Sequence, residues 1–251
     1  QWRSCQSVLD EARKLTSHPD FKGYIADVGG PTANMYGFEC EKKVHSGACR
    51  DKRCLYPTIC PSLRVDHRPQ IDMLAKVRKI KGVKKAFVAS GIRYDLVLCD
   101  QKYGQDYLHE VVKHHVSGQM KVAPEHSEDS VLHRMGKPSA DSLMRFKELF
   151  DRMTRSAGKE QFLTYYLIAA HPGCTDSDMQ NLRSFAVQNL KMNPEQVQIF
   201  LPAPSTYSSL MYYTGIDPFT GKPLSVEKNP QGRQRQKDIV VRPRSFKRPS
   251  R

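Results

Sequence analysis

Gly29 and Gly30, Ser90 and Arg93, Glu125, and His171 are the residues of this sequence whose types and placement could hold a ligand, and each follows a short apolar run. A glycine pair lets backbone N–H groups approach a ligand with no Cβ in the way. Arg93 could grip a carboxylate bidentately, or it could pair with Asp95 at the surface, where an ion pair contributes little. Glu125 offers acceptor oxygens, either to ligand hydroxyls or to a salt-bridge partner. His126 beside it, and His171 further on, are each either ligand contacts or structural imidazoles. Four cysteines form a separate set, Cys40-x8-Cys49-x4-Cys54-x5-Cys60, with His45 and His67 nearby. Four thiolates can bind zinc tetrahedrally or an iron–sulfur cluster. The spacing lacks the tight C-x2-C pairs of a strong metal signal, so free buried thiols are the competing reading. Cys5, Cys99 and Cys174 are isolated and read as inert.

The elements that must position these groups follow from periodicity. Tyr24–Val28 is an apolar run that breaks at Gly29-Gly30-Pro31-Thr32. FVAS leads into GIRYD, MKVA into PEHSED, YYLIAA into HPGCTD, and VQIFLP into APS. Each reads as a buried strand with small or polar residues just past its C-terminal end. Helical spacing fills the intervals: 4–16, 70–80, 105–116, 139–157 and, behind a Thr175–Asp178 capping box, a helix through Leu190. Gly37–Pro69 is left as a long connection, and a loop of that size inside a compact domain is often functional. Strands alternating with helices, all with polar residues past the same end, predict a parallel α/β barrel with one functional rim.

The totals set bounds. The chain has 251 residues, 39% of them hydrophobic, and no run approaches the length of a membrane span, so a soluble protein is expected. Seven cysteines, with nothing to suggest secretion, fit reduced thiols in the cytoplasm. The chain opens on Gln1 in a polar, helix-like stretch without an initiator methionine, as a piece of something longer would. Net charge is +14, and the 30 residues from Lys222 carry ten Lys/Arg against two acids. Two parts are expected: a folded 1–213 and a basic, Pro/Gly-rich tail over 214–251 with weak order. That tail could make weak phosphate contacts with nucleic acid.

The strings VGGPTANMYG, CLYPTICPSLRVDHRP, VASGIRYDL, MKVAPEHSED, AGKEQF, AAHPGCTDSDM and QVQIFLPAP, in this order up to about Tyr213, resemble the radical S-adenosylmethionine proteins of the YgiQ type. The resemblance implies a partial (β/α)6 TIM-like barrel. It also implies S-adenosylmethionine on a 4Fe–4S cluster held by a C-x3-C-x2-C loop after the first strand. It places Gly29 and Gly30 at the methionine end of the cofactor, Ser90 and Arg93 on the next rim turn, Glu125 near the ribose hydroxyls, and His171 on the fourth turn. Pro202 and Ala203 would pack near adenine. Cysteines in the 37–69 connection also fit the family and raise the case for zinc or an auxiliary cluster there. This sequence has no C-x3-C-x2-C. The first strand and its cluster loop would precede Gln1, so the chain is expected to carry much of the binding rim and to be inactive alone. No catalytic residue or substrate is implied.

Two other functions compete. A non-catalytic, basic nucleic-acid-binding protein would use the tail, although the sequence holds no aromatic-and-basic recognition motif. An unrelated barrel hydrolase would need a nucleophile–base pair on the rim, and the sequence offers no convincing one.

Overall fold

The computed structural model describes residues 3–50 and 53–241. In chain order the elements are α1 (Cys5–Thr16), β1 (Tyr24–Ile25), β2 (Glu39–Cys40), α2 (Glu41–Ser46), β3 (Leu63–Arg64), α3 (Arg68–Arg78), β4 (Lys85–Ala86), α4 (Tyr94–Cys99), α5 (Gly104–His114), β5 (Gln119–Glu125), α6 (Asp129–Met135), α7 (Ala140–Ser156), β6 (Phe162–Ala169), α8 (Asp176–Gln188), β7 (Gln198–Ile199), α9 (Tyr207–Thr214) and α10 (Pro230–Val240). The class is α/β with parallel strands. β1 pairs with β4 in parallel, Ile92 bridges Val122 in parallel, and β6 pairs with β7 in parallel. Among the described residues no helix is long and apolar enough to cross a membrane.

The chain divides into two compact units, Gln1–Ala123 with Asp141–Tyr165, and Pro124–Ala140 with Tyr166–Arg251. In the first, Ser4 starts α1: its side chain accepts from the Ser7 N–H, satisfying one of the donors a helix start leaves open. The inward stripe of α1, Leu9 and Ala12, packs with Ile25, Val77 and Ala86, so α1, α3, β1 and β4 share one core. α7 supplies the longest apolar stripe, with Leu143, Phe146, Leu149 and Phe150 all buried at three- and four-residue spacing.

The 37–69 connection differs from a bare loop. Glu39 and Cys40 pair antiparallel with Arg64 and Leu63, and α2 fills part of the interval. The 214–251 expectation also needs correction. Pro230 at the start of α10 and Asn229, whose side chain accepts from the Gln231 N–H, set up a helix where weak order was expected. α10 packs on α8, with Gly232, Gln236 and Val240 buried. Residues 242–251 lie outside the described residues.

In the second unit α8 begins with the expected capping box, Thr175 and Asp178 each accepting from the other's backbone N–H. Gln236 of α10 joins the chain just before this helix: its Oε1 accepts from the Ala170 N–H at 3.1 Å and its Nε2 donates to the Cys174 carbonyl at 3.2 Å. Ala170 stands at φ 58°, a left-handed backbone for a residue with a Cβ. The Gly173 N–H donates to the Ser225 carbonyl at 2.7 Å, so the turn after β6 is laced to the last segment of the unit.

Replacing Gln236 by Leu keeps the volume but strands the Ala170 N–H and the Cys174 carbonyl. The expected loss is about 2–4 kcal/mol in urea unfolding. A loss under half a kcal/mol, judged against the usual scatter of surface changes, would mean that these two bonds do not hold the turn.

Candidate functional site

In the first unit the glycine turn is built by one carboxylate. Asp27 accepts from the Ala89 N–H at 2.9 Å, the Ser90 N–H at 3.2 Å and the Ser90 hydroxyl, tying the chain after β1 to the chain after β4. This arrangement explains Gly29. A Cβ there would lie 2.7 Å from Asp27 Oδ1 and 2.9 Å from Ser90 Cβ. Gly30 differs: a Cβ would have no atom within 4 Å, and the residue faces open space. That space is a cavity of about 920 Å³, lined by Val8, Ala12 and Leu15 of α1, Ile25 of β1, residues 27–33, and Gln70, Met73 and Val77 of α3. The Ser90 hydroxyl donates to Asp27, so its proton shapes the turn and only its lone pairs remain to accept from a ligand. Asp27 was not among the sequence candidates; an acid set inside the apolar run YIADV was the available signal.

Arg93 forks onto Asp95, with Nε to Oδ1 at 2.9 Å and a terminal nitrogen to Oδ2 at 2.6 Å. Of its two sequence readings, the pair with Asp95 is the one observed. Its backbone does separate work. The Arg93 N–H donates to Asn34 Oδ1 at 2.7 Å, and Asn34 Nδ2 donates back to the Arg93 carbonyl at 2.9 Å. Asn34 Nδ2 also lies 3.3 Å from His67 Nε2, and His67 Nδ1 lies 2.8 Å from Asp100 Oδ2. One tautomer satisfies this chain: Nδ1–H donates to the Asp100 carboxylate, and Nε2 accepts from Asn34. His67 is fully buried between the rings of Phe38 and Tyr107. Burial depresses its pKa, against the pull of Asp100. Gln70 adds a hydrogen bond from Nε2 to the Ala33 carbonyl at 2.5 Å. The network fixes residues 33–38, the arm that continues the glycine turn along the cavity. It also removes His67 as a metal ligand, since both ring nitrogens are in use.

The four-cysteine set does not form a centre. Among the described residues no three His, Cys, Asp or Glu side chains come together as metal ligands. The Cys40 side chain accepts from the Lys43 N–H and caps α2, and the Cys60 N–H donates to the Cys54 carbonyl. Cys40, Cys49, Cys54 and Cys60 are half-buried and in no disulfide, and as placed they do not converge to hold zinc or an auxiliary cluster.

In the second unit Glu125 ends β5 at φ 70°, again a left-handed residue with a Cβ. Such strain persists where surrounding structure or a ligand requires it. Oε1 meets Lys137 Nζ at 3.0 Å, while Oε2 is buried with no hydrogen-bond partner among the described residues. Burial pushes the Glu125 pKa up, and the Lys137 ammonium only partly opposes it. His126 and Cys174, read as unconnected, are neighbours: Nε2 lies 3.6 Å from Sγ. His126 Nδ1 accepts from the Glu128 N–H, so Nε2 carries the proton. Burial drives the imidazole to about 4 and the thiol to about 12, so the pair is neutral and not a thiolate–imidazolium nucleophile.

His171 is buried under α9. Its Nδ1 donates to the Pro172 carbonyl at 3.0 Å, and its Nε2 accepts from the Ser208 hydroxyl at 2.8 Å. By geometry this is the nucleophile–base pair that the sequence did not reveal. Its chemistry falls short of acyl transfer: burial lowers the imidazole to about 4, a poor base near neutrality, and no carboxylate orients it. Of the six predicted rim residues, Gly29 and Ser90 meet at the Asp27 clamp and Gly30 opens on the cavity. Arg93 is held by Asp95, Glu125 retains an unused oxygen, and His171 is enclosed.

His126 and His171 are neutral in the fold and regain ordinary values near 6.5 on unfolding. The unfolded chain therefore takes up protons first, and stability falls as pH drops from about 6.5 to 4, by about 3 kcal/mol for each histidine. Urea unfolding across that range should show the slope, and His171→Gln should remove about half of this contribution, leaving that of His126. An unchanged slope in the variant would rule His171 out as a source.

No protein-family model matches the chain. It is similar to the UPF0313 protein of Fusobacterium nucleatum subsp. nucleatum, 57% identical over 96% of this chain and 43% of that protein. It is 44% identical to the UPF0313 protein of Methanosarcina mazei over 95% of this chain and 37% of that protein, and 43% identical to that of Thermotoga neapolitana over 96% and 42%. The chain thus spans about two fifths of the length of these relatives, all of which carry the UPF0313 name.

Proposed function

We propose that the chain is part of a radical S-adenosylmethionine iron–sulfur enzyme core: a partial (β/α)6 barrel that carries much of the cofactor-binding rim and not the cluster cysteines. One observation carries the reading. β1 pairs with β4 on one side and with no described strand on the other. The cavity touches β1 and its glycine turn but no residue of β4, so it follows that open side. The apolar face of α1 roofs the space. A helix that precedes a parallel strand normally covers strands of the same sheet; α1 covers β1 and β4 through Leu9 and Ala12, and its Val8, Ala12 and Leu15 also overhang the groove. A further parallel strand along β1 would close it, and the relatives are long enough to supply one.

Within the first unit the glycine turn suits one polar end of the cofactor. Gly30 leaves backbone exposed in the cavity, which suits a carboxylate approaching a turn with no side chain in its path. S-adenosylmethionine on a 4Fe–4S cluster would supply radical chemistry. The cluster ligands are absent from this sequence, so the chain alone binds and does not react.

Isothermal titration of the 251-residue protein with S-adenosylmethionine and with S-adenosylhomocysteine tests this. Saturable binding of both is expected. It should weaken in Gly30→Val, which fills the cavity at the turn. A folded chain that binds neither compound would end the proposal.

A further inference from the structure

The end of the first unit where β1 and β4 begin, opposite the glycine turn, is basic. Of the ten residues 76–85, six are Lys or Arg and none is acidic. A groove of about 700 Å³ opens there between the ends of α1 and α3. Leu9 and Ile80 form its floor, and exposed Arg13, Lys76, Lys79 and Lys81 stand around it. It shares no lining residue with the cavity at the glycine turn. The basic surface continues past the groove. Gly82 packs on the Thr16 side chain, and Lys84 lays its stem beside Gly23. The Lys84 ammonium stands 6.0 Å from the ring of Tyr24, which is 56% exposed. Helix C-termini favour cations, and Arg13 and Lys76 sit in the last turns of α1 and α3. That account ends with the last turn and leaves Lys81, Lys84 and Lys85 unexplained. Arg13 pairs with Asp10, but among the described residues no carboxylate pairs with Lys76, Lys79, Lys81, Lys84 or Lys85.

We propose that this end of the first unit is a docking surface for single-stranded nucleic acid, with phosphates over the groove and a base stacked on Tyr24. Cations set together without acids repel one another, and a polyphosphate relieves that repulsion while releasing its own counterions. An exposed aromatic ring flanked by cations complements a strand of unpaired bases. A duplex hides its base faces and an acidic polypeptide has none, so each would satisfy the cations alone. A bilayer would need projecting apolar side chains, whereas Leu9 and Ile80 lie at the floor of the groove. A second copy of this chain is disfavoured because each copy carries +14. The surface lies within the first unit and does not depend on the cofactor reading.

Fluorescence anisotropy of the full chain with labelled oligo-dT, a duplex of equal length and labelled poly-glutamate is the test. Oligo-dT should bind most tightly, with affinity falling as salt rises. Replacing Lys79 and Lys81 together by Gln should lower the slope of log affinity against log salt by about 1.4, the loss of two phosphate contacts in a single strand. Replacing Lys42 and Lys102 by Gln, exposed lysines of the same unit outside the groove, should leave affinity and slope near those of the parent. Tyr24→Ala should weaken binding about tenfold at fixed salt without changing the slope, and Tyr24→Phe should retain it. The four lysines are exposed, so both pairs should keep the parent's thermal melting curve. The proposal fails if oligo-dT does not bind, or if the duplex or poly-glutamate binds as tightly. It also fails if the Lys79 and Lys81 pair has no effect, or if the Lys42 and Lys102 pair costs as much, since binding would then follow net charge and not this surface.

Discussion

Asp27 ties together the ends of two parallel strands of the first unit. One carboxylate takes three hydrogen bonds from Ala89 and Ser90 and so fixes the ends of two parallel strands side by side. Charge-assisted bonds of this kind are stronger than neutral ones. The arrangement leaves no room for a side chain at position 29 and sends the chain along the cavity wall. The buried Asn34–His67–Asp100 chain then continues the same task a few residues on. The turn is therefore shaped before any ligand arrives, which is the condition under which a backbone can bind without reorganising.

The second unit is organised differently. Its polar residues past β5 and β6 are mostly turned inward, onto each other or onto the chain's last helix. His171 is satisfied by Pro172 and Ser208, and His126 by Glu128. Glu125 and Ser127 are exceptions: Glu125 joins a strained backbone to an oxygen without a described partner, and the Ser127 hydroxyl also lacks one. Buried polar groups without partners are uncommon in folded proteins, which makes Glu125 a better candidate for a ligand contact than its histidine neighbours.

Much of the scaffold was legible in the sequence because its signals are local. Apolar spacing and caps placed α1, α3, α5, α7 and α8 within a few residues, and the apolar runs marked where the parallel strands lie. α4 and α9 escaped because they start directly after polar turns, and α10 because proline and basic residues masked a short amphipathic helix. At the candidate site, residue type alone did not reveal the internal partners of Ser90 and Arg93. Both are polar and follow a strand, yet each is held by an acid, and the one holding Ser90 lies 63 positions away. No one-dimensional pattern shows such pairing. The cysteine spacing failed for the same reason: proximity in sequence did not become convergence in space.

The reach of Gln236 bears on how the chain matures. It completes the turn after β6 by bonding Ala170, 66 residues earlier. A ribosome adds residues at about 5–20 per second, so that turn waits several seconds for its partner to emerge. Until then the Ala170 N–H and the Cys174 carbonyl lack the partner that Gln236 supplies. Synthesis of the closing helix thus acts as the timing step that locks this half of the protein.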